Sequence, residues 1–168
     1  MPLPAWHYLA RSLEAAGEVA RAYSVLEDAA SEGSTEALVS LAQLKWKRSE
    51  FHEAAEDMER AEARVEEDDW EAHFAMHLAY AIGIGGDDHI QVKERAFKHL
   101  IAAAKASGQA NMAYSVGLHY WHGLNMVEKD AERAEQWLSM AADSGDNKMI
   151  TQYKRFKRIR AKRSKDAA

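Results

Sequence analysis

The stretch ANMAYSVGLHYWHGLNMVEKDAERAEQWLSMAADSG, from Ala110 to Gly145, decides the fold. Its first part sets Ala110, Ala113, Val116, Gly117 and Tyr120 three or four residues apart and closes on Gly123. That spacing lays one stripe of small and apolar side chains along a helix. After Asp130 the same period resumes at Ala134, Trp137, Leu138 and Ala141, and it stops at Gly145. Two such helices joined by a glycine-containing loop form an antiparallel hairpin, and the small members of the stripe let its arms approach closely.

The pattern recurs 38 residues earlier, at Ala72, Ala75, Leu78, Ala79, Ile82 and Gly85. Glu94-Arg95-Ala96 stands at the same interval before Glu132-Arg133-Ala134, and this copy ends at Gly108 after one residue of slippage. Two fainter units precede it. Ala20 to Gly33 repeats the second-helix pattern, Leu41-Ala42 matches Leu78-Ala79, and Phe51 to Ala63 reads as a second helix whose unit lacks the glycine loop.

Helices are therefore expected near 4–16, 18–31, 35–48, 50–66, 70–83, 90–106, 110–122, 130–143 and 147–163. Gly17, Gly33, Gly108 and Gly145 supply stops, while Ser34, Asp69, Asp130 and Asp146 supply side-chain caps for the helices that follow. A lone hairpin leaves its apolar stripe in water, so the hairpins must stack, each burying its face against its neighbours. The sequence thus predicts an all-α fold, an α/α superhelical solenoid of about four antiparallel hairpins plus a C-terminal capping helix. The expected units are about 1–33, 34–68, 69–108 and 109–145, with the cap at 146–163 completing one domain (1–163) and a frayed tail at 164–168.

The unit A-x-x-A-x-x-V-G-x-x-Y-x-x-G, followed by Lys129-Asp130, Ala134, Trp137-Leu138 and Ala141-Ala142-x-x-Gly145, resembles the Sel1-like repeat, a relative of the tetratricopeptide repeat. The Ala72–Gly108 unit fits with Ala79 in place of the usual glycine and Ile82 in place of the usual tyrosine; the first two units look as much like tetratricopeptide hairpins. The resemblance implies a protein–protein interaction scaffold with no catalytic residues in the motif. It implies an adaptor or regulator, or a bacterial immunity protein that inhibits a secreted toxin or effector.

Composition agrees with that class. The 168 residues include only Pro2 and Pro4 as prolines, and no cysteine, which removes disulfides and thiolate metal sites and fits a reducing, cytoplasmic setting. The start, Met1 to His7, has no secretory signal pattern, and no apolar run is long enough for a bilayer, so no membrane partner is expected. The net charge of −5 hides a division: residues 1–147 hold 13 Lys/Arg and 26 Asp/Glu, whereas residues 148–168 hold nine Lys/Arg and one Asp.

With Ala72, Ala75, Leu78, Ala79 and Ile82 placed toward the core, helical geometry turns His73, His77 and Tyr80 the other way. Their counterparts are Asn111, Ser115, Leu118 and His122, and in the second unit Gln43 and Lys47. First helices of stacked hairpins line the concave side, so this row is the expected partner-binding face. Trp6, Trp46, Trp70 and Trp121 also lie on first helices, where aromatic anchors serve binding or packing; Trp137 holds a packing position.

His73 and His77 stand four apart, the spacing for two imidazoles on one metal, but no third ligand or general base accompanies them, so neither a metal nor a cofactor is expected. Gly83-Ile84-Gly85-Gly86 follows a helix and lacks the lysine of a phosphate-binding loop; it reads as a hairpin loop. In the last helix Met149, Tyr153 and Phe156 form an apolar side suited to closing the stack. The alternative for that basic segment is nucleic-acid association, against which the acidic body argues. No oligomeric state follows from the pattern.

Overall fold

The computed structural model describes residues 4–86 and 88–166; the extreme start of the chain and residues 167–168 of the expected tail lie outside the described residues. Among the described residues there are nine α-helices and no strand: α1 Ala5–Ala15, α2 Val19–Ser31, α3 Thr35–Lys47, α4 Phe51–Glu62, α5 Trp70–Ala81, α6 His89–Ser107, α7 Ala110–His122, α8 Ala131–Asp143 and α9 Asn147–Asp166. A single 3₁₀ turn, Leu124–Met126, interrupts the α7–α8 loop. The architecture is an all-α repeat solenoid in which α1/α2, α3/α4, α5/α6 and α7/α8 pair as hairpins and α9 packs on α8.

Local chemistry fixes the helix ends. Ser34 Oγ accepts from Ala37 N at 3.2 Å, Asp69 Oδ1 from Ala72 N at 3.0 Å, and Asp130 Oδ1 from Arg133 N at 2.9 Å, each satisfying a first-turn donor that the helix itself leaves open. Asp146 does the same for Lys148 N and Met149 N. Where unit two lacks a glycine, Ser49 takes the left-handed conformation at φ 65° between α3 and α4. That is the missing stop signal, carried at some cost by a residue with a Cβ.

The α4 helix ends at Glu62, four residues earlier than the spacing suggests, and α9 runs to Asp166. In the α5–α6 loop Ile84 is fully buried, and a Cβ on Gly85, whose φ is +123°, would collide with the Tyr80 ring. The loop is anchored, as a hairpin loop should be.

The interior divides in two. One cluster spans α1 to α5 with Val92 and Ala96 of α6; the other gathers Leu100, Ala103 and Ala104 of α6 with α7, α8 and Phe156 of α9. The long helix α6 belongs to both. Its neighbour α5 packs its backbone on α3, while its side chains Trp70 and Phe74 reach the second cluster.

Candidate partner-binding surface

The α7 helix follows the sequence pattern. Ala113, Val116, Gly117 and Tyr120 are buried, and Gly117 is tight enough that a Cβ there would lie 2.7 Å from Leu138 Cγ of α8. With that side fixed, Asn111 and His122 are exposed and Ser115 and Leu118 half-buried on the opposite stripe, where the spacing puts them.

The α5 helix does not follow it. Its buried arc is Ala72, His73, Met76, Ala79 and Tyr80, while Leu78 is 47% exposed and Ile82 65% exposed. His73 and Tyr80 are therefore not surface residues, contrary to the stripe-based expectation: they are 7% and 1% exposed. The helix is rolled toward α3, which buries one flank; His73 enters the interior against His99 of α6, which is itself paired with Glu62 of α4, and the Tyr80 ring stacks on the same imidazole.

Those partners form a chain. His73 Nδ1 and His99 Nδ1 lie 2.8 Å apart, and His99 Nε2 lies 3.2 Å from Glu62 Oε1. The arrangement assigns a proton to His99 Nε2, donated to the carboxylate, and one to His73 Nδ1, donated to His99 Nδ1. Both rings are neutral in this scheme. Burial pushes His99 down to about 4 against the pull of Glu62, and burial likewise lowers His73 despite nearby Asp69. A second proton on His99 would also face the His73 N–H head on.

For Glu62, burial acts upward, but the His99 bond and the adjacent Arg95 and Lys98 charges together hold it below the usual carboxylate range. The Tyr80 ring stacks on His99 at 5.6 Å, and its buried hydroxyl, near Glu62 and Arg95, makes no hydrogen bond among the described residues.

His77 is half-buried and donates through Nδ1 to the Ala96 carbonyl oxygen at 2.9 Å, with burial lowering its pKa. His73 and His77 are thus committed to different partners, and among the described residues no group of three or more potential ligands could hold a metal ion. His99 and Glu62 gave no signal in the sequence, because they sit on other helices 26 and 11 residues from His73.

Gln43 and Lys47 lie on α3, half-buried and exposed respectively, beside a cavity of about 250 Å³ shared with Trp6, His7 and Glu14 of α1. Lys47 Nζ donates to Glu14 Oε1 at 2.6 Å across its mouth. The other tryptophans serve packing in part: Trp46 meets Phe51 edge-on at 4.6 Å, Trp121 meets Phe156 at the same distance, and Trp70 and Trp137 pack against the second core cluster.

Between the α3 and α7 portions of the row, α5 contributes a different stripe. Trp70, Phe74, Leu78 and Ile82 follow at four-residue steps; the first two pack against the C-terminal cluster, and the last two continue the stripe into solvent. On the second-helix side, concavities of about 560 and 410 Å³ share Ile101, Tyr120 and Arg133 between α6 and α8. No described helix is long and apolar enough to cross a membrane.

Comparison with known proteins agrees with the repeat pattern. The Sel1 repeat model matches residues 72–108 and 106–146. A Sel1 repeat protein from Oxalobacter formigenes is similar in structure, with 22% identity and a TM-score of 0.50 over 80% of this chain and 53% of that one. This chain therefore spans about half the length of that protein. YrrB, described as a tetratricopeptide-repeat protein with an unusual peptide-binding site, aligns at 19% identity and a TM-score of 0.49 over 89% of this chain and 73% of its own. No curated protein matches.

Proposed function

Because this chain is a Sel1-like repeat protein, we propose that it is a protein–protein interaction scaffold that receives a partner protein on the concave face lined by its first helices. The observation that carries the reading is the pair of stripes on α5 and α7: Leu78 and Ile82 exposed on one, Asn111 and His122 exposed beside half-buried Leu118 on the other. Apolar side chains left exposed beside polar ones are what an interface core with a polar rim requires. Gln43 and Lys47 extend the face along α3. His77 lies at its floor, held by the Ala96 carbonyl.

His73 and Tyr80 support this face from below and do not touch a partner. The role is one of binding and not of catalysis. Within it, neutralising a toxin and serving as an adaptor make the same structural demand, a single face complementary to one partner.

The test is to capture the partner from the native cells, purify it, and titrate it against variants of the full chain. Leu78→Glu and Leu118→Glu should each weaken binding at least about tenfold, the loss of roughly 1.4 kcal/mol that an interface anchor carries. Glu56→Lys, exposed on α4, should leave binding intact. Equal affinity for all three variants, or a loss confined to the α4 variant, overturns the assignment.

A further inference from the structure

Packing of α9 separates its two chemistries onto opposite sides. Phe156 is 5% exposed and meets Trp121, Tyr153 packs on the second core cluster and donates to Glu135 Oε1 at 3.4 Å, and Arg160 pairs with the same carboxylate. Met149, Ile150 and Ile159 are half-buried beside them. Every large apolar side chain from Asn147 to Lys162 is thereby turned wholly or partly inward.

What remains outside includes Lys148, Thr151, Lys154, Arg155, Arg158 and Lys162, and Lys157, whose ammonium lies over the Tyr153 ring, all exposed, in a segment with no acidic residue from Asn147 to Lys165. Lys154, Arg158 and Lys162 step at four residues along one stripe, about 6 Å apart along the axis. Among the described residues Lys154, Arg155 and Arg158 enter no ion pair.

We propose that this outer face of α9 is a second binding site, for the phosphate backbone of nucleic acid, contacted without reading base sequence. A protein partner docks on a patch with an apolar or aromatic centre, and this face has none. A polyanion needs no such centre, since its affinity comes from counterions released as cations meet phosphates. The acidic charge of the body acts across a Debye length of about 10 Å at 0.1 M salt, so it weakens but does not cancel contacts made on the far side of the terminal helix. Capping and anion binding are thus compatible, being carried by opposite faces of one helix. The site is independent of the concave face.

The experiment titrates the full chain into fluorescein-labelled 20-base-pair DNA of arbitrary sequence and into the matching RNA duplex, at about 50 mM salt and upward. Binding should appear with both, and log K should fall with log salt with a slope of about −3 for three or four phosphate contacts. Lys154→Glu/Arg158→Glu/Lys162→Glu together should reduce affinity at least about tenfold with an unchanged melting curve, since no buried contact is altered; the glutamine triple variant should fall between. Absence of binding at the lowest salt overturns the proposal. So does affinity indifferent to charge reversal, or equal binding to phosphatidylserine vesicles or polyglutamate, which would mark a general cationic surface.

Discussion

The units Ala72–Gly108 and Ala110–Gly145 share one motif spacing, with Ala79 standing for Gly117 and Ile82 for Tyr120, yet their first helices bury different sides. In α7 the buried arc centres on Val116, Gly117 and Tyr120; in α5 the residues at two of those three places, Leu78 and Ile82, lie open, and His73 and Tyr80 go inside. Of these three places, only that of Gly117 and Ala79 is buried in both units, and at Gly117 it faces Leu138 and Ala134 of the hairpin's second helix. The motif therefore fixes how a hairpin closes, while the neighbouring unit fixes how the hairpin is rolled within the stack.

The largest expected effect tests the conserved part of that comparison. Gly117→Ala should cost about 1–3 kcal/mol, because Leu138 and the Ala134 carbonyl oxygen, 3.3 Å from the added carbon, must give way. At the matching place Ala79→Gly should cost only about 1 kcal/mol, the helix penalty of glycine. Urea denaturation of both variants measures the difference. A neutral Gly117→Ala would mean the α7–α8 seam is not the tight one.

Acidification tests the divergent part. Unfolded histidine titrates near 6.5 and folded His99 near 4, so between those values the unfolded chain binds more protons and stability falls as pH falls. His73, also lowered, adds in the same direction. Glu62 contributes the opposite kind of group, a depressed carboxylate whose stabilisation is lost only as pH drops below its unfolded value. The denaturation midpoint should decline from pH 6.5 toward 4, and replacing His99 with glutamine should flatten that decline. The same slope in both proteins would detach the effect from the buried chain.

The smallest effect is also informative. Tyr80→Phe removes a buried hydroxyl that makes no hydrogen bond among the described residues, so it should leave stability within about 0.5 kcal/mol or raise it. A loss of several times that size would show that the hydroxyl is bonded after all.

The sequence revealed the hairpins because their punctuation is chemical and local: Asp69, Asp130 and Asp146 cap as residues of their kind do, and the α7 stripe alternates cleanly with polar positions. The roll of α5 was hidden because WEAHFAMHLAYA is apolar or aromatic around most of its circumference, so several stripes satisfy the period equally well. What selects among them is α3 on one flank and the His99–Glu62 pair on the other, contacts made by residues remote in the chain. The same remoteness concealed the open apolar stripe. In α9, by contrast, the sequence separated apolar and basic residues by position, and the side that packs could be named from Met149, Tyr153 and Phe156 alone.

The central claim, that α5 and α7 turn different sides of one motif to solvent, can be measured directly because the chain contains no cysteine. Single substitutions Leu78→Cys, Tyr80→Cys, Val116→Cys and Leu118→Cys would each be reacted with a maleimide under native conditions. Rapid modification at 78 and 118 with protection at 80 and 116 is the predicted result. Protection at 78 with rapid modification at 80 would place the two helices in the same register and contradict the account.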